Sequence, residues 1–299
     1  MDAWRLRLTG EAVMTSLPVF ATIATTYRFL FREFATVVRL AWFPLLVVAA
    51  VQYVAAEAAL EALAAGQSAN DQPIASPYDL VEWIVQIVVF AIVGVSLHRV
   101  ILFGDRKPGQ YIAFAFGRAE VLFLVLQLIV FAAYFVIGVV WVITLREPGA
   151  APSSSGIGQI LMIIAIAAAL IYVFTRLAPV YPIVVAENRL DFPRSWELTR
   201  GKFWRLLAIL GLGLLPLGLV IALAEAIFVG LASRSFAGRE LSSEQVVAIK
   251  ALIVYQVGIF YVVAIAASGL TAALLCYTYK ALRGLKADAL LTPEYQVRP

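Results

Sequence analysis

The chain has 299 residues, of which 63% are hydrophobic and 14% charged, with a formal net charge of +4 and a mean hydropathy of +0.92. Soluble domains are about 45 to 50% apolar and about 25% charged, so this composition excludes a water-soluble globular protein. A single cysteine, Cys276, excludes an internal disulfide, and a single histidine, His98, excludes a paired-histidine zinc motif.

Residues 1–37 form an arm that carries Arg5, Arg7, Arg28 and Arg32; the first long apolar run begins only near residue 38 and lacks a cleavage-like ending, so no removable signal peptide is expected. The first span is therefore expected to serve as its own insertion signal. Six stretches follow, at 38–60, 81–103, 121–144, 157–185, 206–231 and 246–275, each long enough for the roughly 20 helical residues that cross about 30 Å of hydrocarbon. They are continuously apolar, whereas a lipid-facing barrel strand alternates with polar residues, and backbone satisfaction in lipid then leaves only helix. The predicted fold is all-α. It is a polytopic integral membrane protein of six transmembrane helices, arranged as three consecutive hairpins with short interfacial amphipathic helices on the cytoplasmic side. By this division 1–37 is a cytoplasmic arm with an interfacial segment, 38–285 a single six-helix domain and 286–299 a cytoplasmic tail.

Orientation follows from the loops. Of the 23 Lys and Arg residues, all but Arg146, Arg234, Arg239 and Lys250 lie in the arm and the start of the first span, in the second and fourth loops, or near and within the tail. The first loop has no Lys or Arg and carries Asp71 and Asp79. The positive-inside rule places both termini in the cytoplasm of a multi-pass protein of the bacterial inner (plasma) membrane. The loop at 65–78 has the Gly, Pro, Ser and Asn content of an irregular connection, and 147–158 is still more linker-like.

Segments rich in aromatic and basic residues introduce the hairpins at 27–39, 111–120 and 192–205. Either a parallel internal repeat or the ordinary composition of an inner interface produces this recurrence. Pro44, Pro179, Pro182 and Pro216 fall inside spans and are each expected to bend a helix. Small residues recur at helical spacing, with Gly211, Gly213 and Gly218 in the fifth span and Ala264, Ser268 and Ala272 in the sixth. Close helix contact is their plain account, and a moving gate the sharper one.

The most distinctive stretch is 184–207, VVAENRLDFPRSWELTRGKFWRLL. Asp191 can cap a helix whose first turn accepts Pro193. On a helical wheel Phe192, Trp196, Thr199 and Phe203 share one face and Arg194, Glu197, Gly201 and Arg205 another, which predicts one amphipathic helix in the headgroup plane. The run from Arg194 to Arg205, directly before a Gly- and Leu-rich span, resembles the bacterial glycerophosphoryl diester phosphodiesterase membrane-domain family and related six-span inner-membrane proteins. The opening from Phe29 to Arg32 and from Ala41 to Leu46 is similar to the start of that family. The family's named members fuse this membrane part to a soluble phosphodiesterase barrel, which needs paired His and acidic metal ligands. With one His and no stretch long enough for the barrel, this chain is expected to share the membrane part without the enzyme.

No assembled acid, base and nucleophile set is legible, so no catalytic residue, metal or cofactor is assigned. His98, beside Arg99 at an inner helix end, is accounted for by interfacial snorkelling or a helix C-terminal interaction. Arg194, Arg200, Lys202 and Arg205, flanked by Trp196 and Trp204, are candidates for binding lipid phosphates, each cation contributing about 1 kcal/mol near an anionic leaflet. Topogenesis alone is the alternative role. Glu225 is the candidate intramembrane ion or proton site, against a structural reading in which it reaches water or Arg234 near the outer surface. Gln86, Gln127 and Gln256 form interhelical hydrogen bonds or, if they converge, line a polar path. The leading expectation is a non-catalytic membrane module that contacts lipids, including anionic ones, or docks a cytoplasmic or membrane protein partner in envelope or lipid homeostasis. The alternative is a transporter or flippase of a small or lipid-like solute. Nucleic acid is not an expected partner, because the charges are tied to helix ends in the membrane plane.

Overall fold

A computed structural model describes residues 17–65, 76–104, 117–145, 156–235 and 243–284, and among these all regular structure is helical. In chain order the helices are α1 (Val19–Arg32), α2 (Phe34–Ala64), α3 (Pro77–Phe103), α4 (Arg118–Leu145), α5 (Gly156–Leu177), α6 (Val180–Glu187), α7 (Phe192–Leu198), α8 (Phe203–Ser235) and α9 (Ser243–Leu282). Five runs are long and apolar enough to cross a membrane: α2, α3, the stretch Leu161–Glu187 that joins α5 to α6, α8 and α9.

The ends are set by local chemistry. Ser76 and Asp79 cap α3 reciprocally, Asp79 N donating to Ser76 Oγ at 3.2 Å and Ser76 N to Asp79 Oδ2 at 2.7 Å, with Pro77 next to the cap. Two orphan donors of the first turn are thereby satisfied. Pro179 has no N–H to continue α5, and the predicted span 157–185 accordingly divides into α5 and α6. Pro44 and Pro216 instead lie inside helices that continue through them. Helices also run past the predicted spans: α2 begins inside the predicted arm, and α9 continues past 275 to Leu282. Hydropathy falls where charges begin, but backbone hydrogen bonding does not. The predicted tail at 286–299 and the first part of the predicted segment 111–120 lie outside the described residues.

α9 is the axis of the bundle, with α2, α3, α8 and α1 packed against it. The helices of the first and third predicted hairpins pack as pairs, and in the second α4 packs on the α6 part of its partner span. α2 lies along α3 and α8 along α9, whereas α4 rests on α3 and α6, and α5 on α8 and α7. The core gathers at one end: Val37, Ala41 and Leu45 of α2 meet Val93, Val95 and Leu97 of α3, Ile183 and Val184 of α6 and Ala273 of α9. Phe123 of α4 fits over Gly94, where a Cβ would stand 2.7 Å from its ring, and Trp83 packs on Phe131 further along α4, centroids 5.4 Å apart. Gly269 lies as close to Val37, and Gly213 packs on Leu274. Gly211 and Gly218 face open space, so of the three glycines singled out from the sequence of α8 helix contact explains only Gly213.

Away from the core, large apolar side chains are exposed, among them Leu161, Ile164, Leu219, Leu223, Tyr255 and Val262. That belt is what a bundle surrounded by hydrocarbon presents, and what a soluble monomer avoids. Charge separates the two ends. Arg99, Arg176, Arg189, Arg194 and Arg283 share the end where α3 and α9 finish; Glu57, Asp79, Glu82 and Glu225 lie toward the end where they begin.

α1 covers the basic end. Its buried face is Thr22, Thr25, Thr26, Phe29 and Leu30, its outer face includes Phe20 and Phe31, and Thr22 and Thr26 return their hydroxyls to the backbone four residues back. Tyr27 spends its hydroxyl on Gly213 O, 2.8 Å away, in the turn of α8 before Pro216. Burial raises the pKa of that phenol, so it remains a donor.

Candidate functional site

At the basic end the segment after α6 is built around Glu187 and Arg176. Asn188 takes the left-handed conformation at φ 53° and turns the chain out of α6. Asp191 then caps α7, its Oδ1 accepting from Arg194 N at 2.9 Å, with Pro193 in the first turn as predicted. Glu187 collects Arg189 at 2.9 Å, Arg194 at 3.2 Å and the hydroxyl of Tyr279 at 3.2 Å, while Arg283 donates to that same hydroxyl. This network ties α6, the segment leading into α7 and the end of α9 together.

Arg176, near the end of α5, is only 9% exposed and lies between two aromatic rings, 5.3 Å from the Tyr172 centroid and 5.0 Å from that of Trp196. Its guanidinium donates to Thr199 Oγ1 at 3.2 Å, to Trp196 O at 3.4 Å and to Tyr172 Oη at 3.2 Å. The fully buried Ser195 donates its hydroxyl to Arg176 O at 2.8 Å. Cation–π and hydrogen-bond contacts thus hold this cation in place of a carboxylate. The sequence reading counted Arg176 only among the topogenic charges. An arginine ending an apolar span was its one visible signal.

The predicted single helix over 192–205 is corrected. α7 stops at Leu198, Lys202 N returns to Thr199 O, and Gly201 sits at φ 72°, a conformation that glycine adopts without Cβ strain, before α8 starts at Phe203. The predicted faces are therefore divided, with Ser195 and Thr199 buried. The six phosphate-binding candidates differ in their surroundings. Arg194 is paired with Glu187 and Trp196 stacks on Arg176, whereas Arg200 and Arg205 are exposed, Lys202 is half-buried and Trp204 is 77% exposed.

Two further basic-end residues depart from expectation. His98 does not snorkel: it is 2% exposed, its Nδ1 lies 2.7 Å from Gly94 O, and its ring meets Phe123 edge to face at 5.5 Å. Burial among Leu97, Ile101, Leu102 and Phe123 of the core outweighs its place near a helix end. Lys280, counted with the tail, lies inside the bundle and donates to Ile101 O at 2.9 Å, one of the last carbonyls of α3. The negative end of a helix suits a cation there. Arg99 reaches across to the buried Glu120 at 2.8 Å and so fixes α4 to α3.

Toward the acidic end, α2, α3, α8 and α9 border an open void of about 420 Å³. Gln52 of α2, Asp79 and Glu82 of α3, Glu225 of α8 and Gln256 of α9 line it, with alanines of α2 and with Val257 and Phe260 completing the wall. A second void of about 220 Å³ lies next to it, shares Gln52 and Phe260 with it, and is lined also by Gln86, Phe90 and Ala264. Gln86 donates to Glu82 at 2.8 Å across the junction. Leu45, Val48 and the core beneath them close the bottom. Beside the mouth, Lys250 is bound to Glu57 at 2.7 Å and lies 3.8 Å from Glu61, joining α9 to α2. Glu225 and Gln256 therefore line the larger void and Gln86 its neighbour. Gln127, on α4, lines neither void, and the side chain of Arg234 lies outside the described residues. Ala55, Ala56 and Ala59 were not singled out from sequence, yet their small side chains leave the room between the polar ones. No protein family, curated protein or solved structure matches the chain.

Proposed function

We propose that this chain is a six-span transporter of the inner (plasma) membrane that admits a small or lipid-like solute from the outer side into the space between α2, α3, α8 and α9. The sixth span is α4, a 28-residue helix with no charged side chain after Glu120, about 42 Å long at 1.5 Å per residue. The excess of Arg and Lys at one end supports a cytoplasmic position for that end and for both termini, and an outer position for the acidic end. Under this reading the protein is non-catalytic, and the kinship suggested by the segment from Arg194 to Arg205 is with the membrane part of the phosphodiesterase family alone.

One observation carries the reading: Glu225 and Gln256 line the same void as Gln52, Asp79 and Glu82. Ionisable and amide side chains inside a bundle are costly to desolvate, and a bundle that used them only as glue would pack them against one another. A second reading, the lipid-contacting module, is favoured by Arg200, Trp204 and Arg205, which the basic end exposes. Those side chains are suited to anionic headgroups whether or not a solute passes.

Labelling of single cysteines in a Cys276→Ser background separates the two. Gln52→Cys is expected to react with a membrane-impermeant thiol reagent from the outer side, and Ala264→Cys, below it, from the cytoplasmic side in part of the population. Labelling of Ala264→Cys from the outer side alone would leave a blind pocket, and the module reading would replace transport.

A further inference from the structure

We infer that the solute is a single-chain amphiphile with a cationic head, its head among Asp79, Glu82 and Glu225 and its chain in an apolar groove between α2 and α9. The inference rests on the transport reading and specifies its substrate class. Three observations lead to it.

The first is charge. Among the described residues the larger void is bordered by three carboxylates from two helices and by no Lys or Arg, and Lys250 of α9 is bound to Glu57. An anionic or zwitterionic phosphate head would meet like charge there, whereas an ammonium would meet opposite charge and two carboxamide oxygens. The second is size. A void of about 420 Å³ is far larger than a bare ion, and among the described residues no three His, Cys, Asp or Glu side chains come close enough to hold a metal. The space suits an organic head.

The third is the neighbouring surface. Val257 lines the larger void on one side and, on the other, a groove of about 240 Å³ walled by Leu46, Ala49, Ala50, Val254, Gly258 and the rings of Tyr53 and Tyr261. The groove runs from Val254 to Tyr261, about 10 Å along α9. Exposed Leu46, Ala50 and Val254 open it to the bundle's apolar exterior, and Gly258 has nothing within 4 Å of where a Cβ would stand. A polar chamber and an apolar groove that share one side chain match a molecule with a charged head and one hydrocarbon tail. A second apolar groove, between α8 and α9, shares Gln256 and Phe260 with the chamber but holds only about 60 Å³, a quarter of the α2–α9 groove and too little for a second tail of that length.

The test uses the full chain in phosphatidylcholine nanodiscs with a long-chain alkylamine carrying a diazirine at the chain end, and the alkyl sulfate of equal length as control. Adducts are mapped by mass spectrometry. The amine is expected to label the α2–α9 groove, the sulfate to label it at least about tenfold less, and Glu82→Gln with Glu225→Gln to lower amine labelling by about tenfold. A tenfold loss corresponds to about 1.4 kcal/mol, shared between the two lost ion pairs. Ala50→Trp, at an exposed position, fills the groove without touching the core and is expected to abolish groove adducts.

Equal labelling by amine and sulfate, or adducts unchanged by the paired Gln substitutions, would overturn the inference. Protection of Gln52→Cys from thiol reagents by ethylamine, without groove labelling by the long-chain amine, would also overturn it while leaving the transport reading standing. Failure of Gln52→Cys to react from the outer side at all would remove both.

Discussion

Ser195 donates its hydroxyl to the main-chain carbonyl of Arg176, 2.8 Å away, while the guanidinium of the same arginine reaches Thr199 one turn beyond Ser195. The two residues grip each other's helix at both ends of one side chain, and so α7 is docked on α5 before α8 begins. Two rings, Tyr172 and Trp196, close over the cation. Ser195→Ala is expected to cost about 1 to 2 kcal/mol, the value of a lost buried hydrogen bond. Arg176→Ala should cost about 2 to 4 kcal/mol, because three hydrogen bonds and both ring contacts go together. Arg176→Lys should recover less than half of that, since an ammonium cannot reproduce the planar fork. Thermal unfolding in detergent measures the order; an Arg176→Ala protein as stable as the parent would show that the cage holds nothing.

Glycine positions give a prediction with opposite signs along the same helices. At Gly269 a Cβ would stand 2.7 Å from Val37, a β-branched side chain fixed on α2, and Gly269→Ala is expected to destabilise by about 1 to 3 kcal/mol through overpacking. Gly213→Ala meets only the end of the Leu274 side chain, which can rotate, and should cost less. Gly218→Ala meets nothing and should be neutral or stabilising by up to about 1 kcal/mol from helix propensity. Denaturation midpoints of the three variants, compared side by side, decide it.

These contrasts show what the sequence could and could not reveal. Apolar runs located α2, α3, α4, α8 and α9 and the pair α5–α6, because length and hydropathy are properties of a segment alone. Asp191 and Pro193 announced the start of α7 for the same reason. The end of α7 was hidden: the apolar period continues through Thr199 to Phe203, and only Gly201 hinted at the break. The roles of His98, Arg176 and Glu225 depend on which residues of other helices arrive beside them, and no period within one segment encodes that.

His98 is a case where removing a polar group should be harmless. Its Nε2 is buried with no hydrogen-bond partner among the described residues, and its Nδ1 faces the carbonyl of Gly94 inside α3. A buried, unmatched ring nitrogen costs about 1 to 3 kcal/mol, whereas the Gly94 carbonyl keeps its place in the helix without the imidazole. His98→Leu is therefore expected to change stability by less than about 1 kcal/mol or to raise it, since apolar volume replaces most of the ring against Phe123. A large loss of folded protein on this substitution, read by size-exclusion yield and thermal midpoint, would contradict the packing role.

The placement of α4 decides whether the number of crossings is even. α3 ends at Gly104 in the left-handed conformation, and Glu120, at the start of α4, is drawn to Arg99 near the end of α3, so the two helices meet at the basic end. From there α4 runs back along α3, with Phe123 over Gly94 and Trp83 against Phe131. If it crosses, a reporter fused after Glu147 must lie outside the cell, as must one after Gln67, whereas one after Arg106 lies inside. Alkaline phosphatase activity at 67 and 147 and green fluorescence at 106 are the expected pattern. Fluorescence at 147 would leave α4 as a helix that does not traverse the bilayer. The Arg and Lys excess would then no longer fall on one side, and the opening between α2, α3, α8 and α9 could not be assigned to the exterior.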